Sequence, residues 1–145
     1  MSTTASRTGR CLCDKVQYKL EGPSATPLWN TVCHCTNCLR LGGSSHFASI
    51  CPKEVRLNDI SSLWRANKVP KQGFAITQGK DLIKTYSGET TDSGNALHRQ
   101  FCSNCGTKLF ALTPLAEHIV SIAAGSLDDF DQWRPVSAFA CRPTR

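Results

Sequence analysis

Cysteine spacing constrains this chain more than any other feature. Seven of its nine cysteines fall in three short groups: Cys11-Leu12-Cys13, Cys33-His34-Cys35-Thr36-Asn37-Cys38 and Cys102-Ser103-Asn104-Cys105-Gly106. Cys51 and Cys141 stand alone. A disulfide framework is a poor account of this pattern. The N-terminal MSTTASRTGR lacks the apolar centre of a secretory signal, and no apolar run approaches the roughly 20 residues that span a bilayer, so a cytoplasmic, reducing setting is expected. An odd cysteine count also leaves one thiol unpaired. Metal ligation explains the crowding better.

The group Cys102-x-x-Cys105-Gly106 is the most specific locally. Two sulfurs in such a turn reach one ion, and Gly106 supplies the permissive backbone the turn needs. A thioredoxin-like redox pair would call for a βαβ pattern that the flanking sequence lacks. Two sulfurs leave a zinc tetrahedron half filled. Cys11 and Cys13, at the mouth of the first predicted strand, complete it if that strand lies beside the turn, giving a closed structural site. Cys33, Cys35 and Cys38 then form a separate set that fills three corners of a second tetrahedron and leaves one corner for water or substrate, the arrangement of a catalytic zinc. Spacing alone also allows Cys35 and Cys38 to join Cys102 and Cys105 as a zinc ribbon.

The 145 residues suit one domain, with residues 1–10 expected as a flexible tail and residues 11–145 as the single folded unit. Period-two alternation in KVQYKLEG predicts a half-buried strand through Val16, Tyr18 and Leu20. PLWNTV, HFASI, GFAITQ, DLIKTY, LHRQF, TKLFAL and HIVSIAAG read as further strands, so the fold class is mainly β, a sandwich with few short helices. Residues 51–73 are irregular and charged, an expected insertion or loop with a short helix at SSLWRA capped by Ser61 or Ser62. The net charge of +6 comes from scattered Lys and Arg without a basic stripe, so no nucleic-acid partner is expected. Seven thiolates with two dications would lower that charge to +3.

In order along the chain, GRCLCDKVQY, CHCTNCLRLGG, GFAITQGKDLIKTYSGE, RQFCSNCGTKLF and SIAAGSLDD resemble the glutathione-dependent formaldehyde-activating enzyme family, also named for centromere protein V, over most of residues 9–130. The resemblance implies an Mss4-like twisted β-sandwich with zinc-bound cysteine knuckles. It also implies that Cys11, Cys13, Cys102 and Cys105 hold a structural zinc and that Cys33, Cys35 and Cys38 hold a catalytic one. The chain departs from the family where Leu39 precedes Arg40, at residues 51–73, and in the C-terminal FACRPTR, which lacks the usual His and Trp. These departures bear on substrate choice.

The activity the resemblance implies is a carbon–sulfur lyase reaction, joining formaldehyde to glutathione or the reverse. Three thiolates and Zn²⁺ sum to −1, a weaker Lewis acid than a three-histidine site, so hydrogen bonds to the sulfurs matter. The expected function is therefore a zinc-dependent lyase acting on glutathione or other small-thiol adducts of aldehydes and electrophiles. The alternative is a non-catalytic Mss4-like binding module with two structural zincs, which His34, His46 or Cys51 would favour by closing the second site. A methionine sulfoxide reductase would need a free cysteine near the C-terminus, for which Cys141 is a faint candidate. Arg40, Lys68, Lys71 and Arg99 are the cations suited to glutathione carboxylates, and Trp64 to a pocket wall. His98, four residues before Cys102, is open between approaching either zinc and occupying a strand face; His118 reads as structural, and Cys51 and Cys141 as small buried residues. No membrane partner is expected, and the oligomeric state is left open, a homodimer included.

Overall fold

The structure is a computed structural model that describes residues 5–26, 29–33, 36–43, 47–51, 69–70, 72–89, 91, 94–117 and 119–130. In chain order the strands are β1 (Ser6–Arg10), β2 (Gln17–Glu21), β3 (Trp29–Cys33), β4 (Phe47–Cys51), β5 (Val69–Pro70), β6 (Phe74–Gln78), β7 (Ile83–Gly88), β8 (Leu97–Cys102), β9 (Lys108–Leu112) and β10 (Ile119–Ala123). A seven-residue helix, α1 (Thr36–Gly42), follows β3. Short 3-10 turns account for the remaining regular structure among the described residues.

The strands form two antiparallel sheets. The smaller has the order β1-β2-β6, the larger β3-β4-β10-β9-β8-β7. Strand β5 pairs the start of β10 at Ile119 and Val120, and β4 pairs its end at Ile122 and Ala123. The mainly β expectation holds. Among the described residues, no helix is long and apolar enough to cross a membrane.

Alternation decides which side of each strand is buried. In β2, Tyr18 and Leu20 turn inward while Gln17, Lys19 and Glu21 remain accessible, as the period-two pattern predicts. Tyr18 meets Phe110 of β9 edge-on at 4.9 Å between ring centroids, and Phe74 of β6 meets the same ring at 5.0 Å. These tilted contacts suit the aromatic quadrupoles and join the two sheets. In β9 both Leu109 and Phe110 are buried, against simple alternation. A register shift beside Gln100 and Phe101 explains it, because the partner of Phe101 is Lys108 and not Leu109.

A flexible tail is expected for residues 1–10, of which Ser6–Arg10 instead pairs along β2 from Ser6↔Glu21 to Arg10↔Gln17. The segment SRTGR has no apolar alternation to announce a strand. Its order comes from distant partners. Arg7 pairs with Asp129, Arg10 Nε donates to Asp128 at 2.7 Å, and Thr8 Oγ1 donates to the same carboxylate at 2.6 Å. The Asp128 N–H also donates to the Thr8 carbonyl at 3.0 Å. Gly9 is required by packing, because a Cβ there would overlap the Tyr18 ring and stand 2.6 Å from the Ser126 carbonyl oxygen. The Tyr18 hydroxyl donates to Ser126 Oγ at 2.7 Å, and Ser126 in turn donates to the Ala123 carbonyl. Burial of this phenol raises its pKa above the ordinary value. It remains a neutral donor.

Candidate metal centre

Two hairpin ends meet at the four-cysteine cluster. The first is the loop from Cys11 to Val16 that joins β1 to β2, and the second is the turn from Cys102 to Thr107 that joins β8 to β9. In the first, the Cys11 N–H donates to the Val16 carbonyl at 3.0 Å and the Asp14 N–H to the Cys11 carbonyl at 3.1 Å. Asp14 takes a left-handed conformation with φ of 60°, which its short polar side chain tolerates better than most. In the second, the Cys102 N–H donates to the Thr107 carbonyl at 2.9 Å and the Gly106 N–H to the Cys102 carbonyl at 2.8 Å. Gly106, with φ of 74°, closes that turn as its position after the second cysteine predicts. A third segment braces the ends, because the Ser103 N–H donates to the Leu82 carbonyl at 2.8 Å.

The Sγ atoms of Cys11, Cys13, Cys102 and Cys105 all lie within 4.8 Å of one another. Cys11 to Cys13 is 3.4 Å and Cys13 to Cys102 is 3.8 Å. Disulfide sulfurs stand about 2.05 Å apart, so these are free thiols. Zinc–sulfur bonds of about 2.3 Å place tetrahedral sulfurs about 3.8 Å apart. The donor set and its spacing therefore fit a four-coordinate metal ion.

Hydrogen bonds and burial divide the four thiols. The Val16 N–H donates to Cys11 Sγ at 3.3 Å. Thr107 accepts at Oγ1 from the Leu12 N–H at 3.0 Å, which leaves its own hydroxyl proton for Cys105 Sγ at 3.2 Å. That hydroxyl is the main reason Cys105 is pulled down to about 5, and the Lys15 backbone N–H pulls Cys13 down from its ordinary value. Burial pushes Cys102 up to about 11. Anionic sulfurs this close repel one another, and a bound cation removes the conflict. Lys15 Nζ donates to Asn104 Oδ1 at 3.2 Å, adding a direct link between the two hairpin ends.

The structure thus brings together Cys11, Cys13, Cys102 and Cys105, the grouping of the two chain ends that the closed site requires. Cys33 is the last residue of β3, opposite Phe47 of β4, and Cys38 lies half-buried in α1. Cys35, His34 and His46 lie outside the described residues, as do Trp64, Lys68, Lys71, His118, Cys141 and the helix expected at SSLWRA. His98 Nδ1 shares a hydrogen bond of 2.7 Å with Ser87 Oγ. Two features escape the sequence reading. Helix α1 is signalled by Thr36 at its start and the left-handed Gly43 at its end. Thr107 is signalled only by its place directly after Cys105-Gly106.

Two antiparallel sheets pinned by four sulfurs at the tips of two hairpins define a small cysteine-clustered β protein. The chain belongs to the glutathione-dependent formaldehyde-activating enzyme family, whose model matches residues 6–65 and 58–142. The two matched segments meet within the stretch read as an insertion. A crystal structure of a Rhodobacter sphaeroides protein, a structural genomics target, is similar in fold with a TM-score of 0.53 and 13% identity over 84% of this chain and 88% of that one. No curated protein matches the chain's sequence.

Proposed function

We propose that the protein is a zinc-dependent carbon–sulfur lyase acting on adducts of glutathione or another small thiol. The observation that carries this reading is the division of the cysteines. Cys11, Cys13, Cys102 and Cys105 can satisfy one ion among themselves, which leaves Cys33, Cys35 and Cys38 as a second set, with Cys33 at the end of β3 and Cys38 on α1. Family membership supports a glutathione-linked chemistry for that set.

In this proposal Cys33, Cys35 and Cys38 would hold the second zinc as thiolates. Zinc bound there would supply a Lewis acid able to stabilise the substrate's sulfur as a thiolate at neutral pH. A hydroxyalkyl thioether substrate then cleaves between carbon and sulfur. Its hydroxyl would lose a proton, the carbonyl would form, the carbon–sulfur bonding pair would stay on sulfur, and the thiolate would take up that proton and leave as free thiol. The end of β3 and the start of α1 fix the outer two cysteines of the set, Cys33 and Cys38, on regular backbone. Placing reactive groups on such elements limits the loss of orientation during reaction.

The test is release of free thiol from S-hydroxymethylglutathione and bulkier glutathione conjugates by zinc-loaded protein. Release should fall at least about a hundredfold in Cys38→Ser, as expected on losing a ligand of a catalytic ion. Elemental analysis should show two zincs falling to one with the fold intact. Two zincs with no thiol release would instead establish a binding module.

A further inference from the structure

A cavity of about 310 Å³ opens between α1 and the face of β8, β9 and β10. Its volume is at the lower end of the range for small-molecule sites, roughly 300–1,000 Å³. Leu41, one turn beyond Cys38 on α1, forms one wall, and Phe101, Ala111 and Ala123 contribute apolar surface from the sheet. Two cations interrupt this lining, Arg99 of β8 and Lys108 of β9. Among the described residues around the cavity there is no acid.

Among the described residues, neither cation is spent on a protein partner. Arg99 and Lys108 are half-buried, and among the described residues neither takes part in an ion pair or side-chain hydrogen bond. Exposed basic residues elsewhere do find partners, as Arg10 does with Asp128 and Lys19 with Glu21. Two partly desolvated positive charges beside apolar walls favour an anion that arrives with a ligand, since charge-assisted hydrogen bonds gain strength where water is excluded. The register fixes their relation. Arg99 pairs with Ala111 and Lys108 with Phe101, so the cations flank apolar side chains on adjoining strands. Gly88 on β7 leaves room for the guanidinium, because a Cβ there would stand 2.8 Å from Arg99 Nη1.

We infer that this cavity binds an S-substituted thiol acid, with Arg99 and Lys108 holding carboxylate and the apolar walls holding a hydrocarbon substituent on sulfur. The inference rests on the lyase reading only in taking the ligand to be that reaction's substrate, and it makes the adduct bulkier than a hydroxymethyl group. A one-carbon substituent would leave the walls formed by Leu41, Phe101 and Ala123 uncovered. Arg99 and Lys108 are then specificity-determining residues for the carboxylate, while Ala111 and its neighbours select the substituent.

Binding of S-hexylglutathione and of unsubstituted glutathione to the zinc-loaded protein, measured by calorimetry, tests this without any turnover. The hexyl conjugate should bind at least about tenfold more tightly, as burial of several methylenes allows. Arg99→Gln and Lys108→Gln should each weaken both ligands about tenfold or more, the worth of a charge-assisted hydrogen bond. Ala111→Met should erase the hexyl preference while leaving glutathione binding in place, which keeps the test available if a charge variant misfolds. Equal affinities for the two ligands, or wild-type affinity in both charge variants, would overturn the inference. Thiol release in wild type together with unaltered binding in the charge variants sinks the cavity and leaves the lyase standing. Hexyl-selective binding that depends on Arg99, with no thiol release from any conjugate, does the reverse.

Discussion

The four-cysteine cluster and the group around Cys35 use the same side chain for opposed ends. The first joins segments 89 residues apart, and the sulfurs of Cys11 and Cys102 are almost entirely buried. The second draws its cysteines from six consecutive positions, so it closes only a local turn and does little to hold distant parts of the chain. Sequence separation therefore sorts the two. Ligands gathered from remote hairpins can cross-link a fold, whereas in the proposed reading the three cysteines of one loop would leave a coordination position for substrate.

The sharpest way to break this contrast is to remove one sulfur from each group. Cys102→Ser should abolish cooperative unfolding in circular dichroism, because structural zinc sites contribute on the order of 10 kcal/mol to folding. Cys38→Ser should keep the melting transition within a few degrees and lose thiol release. Equal destabilisation by both variants would erase the distinction. Gly9→Ala is next in size. It drives a methyl group against Tyr18 and Ser126 and should cost about 1–3 kcal/mol by chemical denaturation, the range for overpacking.

Thr107→Val sharpens the comparison from within the closed cluster. It removes the hydroxyl that links the Leu12 N–H to Cys105 Sγ, and zinc transfer to a chromogenic chelator should become about tenfold easier. Smallest is the acid response of the β1 clamp. Arg10 and Thr8 hold the Asp128 carboxyl below the ordinary carboxylate range. A depressed native pKa stabilises the fold above the unfolded value of about 4 and loses that stabilisation as pH falls through the native value. Asp128→Asn should flatten this part of the stability curve by no more than about 1 kcal/mol, as expected of an accessible pair.

Local chemistry made some features readable in advance. The turn at Cys102–Gly106 needs only its own spacing, and the Tyr18–Leu20 alternation needs only a sheet with one wet face. Strands β8 and β9 were similarly legible from LHRQF and TKLFAL, within a residue of their observed bounds. Strand β1 was hidden because its residues are polar and its order comes from Asp128 and Asp129, more than a hundred positions later. The choice of Cys11 and Cys13 as partners for Cys102 and Cys105 was likewise open until two hairpins could be placed side by side. Thr107 had no signature beyond its place after Cys105-Gly106, since a hydroxyl becomes important there only through the backbone it meets.

The long span between Cys13 and Cys102 has a kinetic meaning as well. Loop closure over 89 residues costs about 2.5 kcal/mol more entropy than closure over the five from Cys33 to Cys38. If both sets bind zinc as proposed, metal would meet the short loop first in a chain emerging unfolded, and the cross-link would wait for the sheets to assemble. The order of loading would then be the reverse of the order of stability, with a nascent molecule carrying its exchangeable ion before its permanent one.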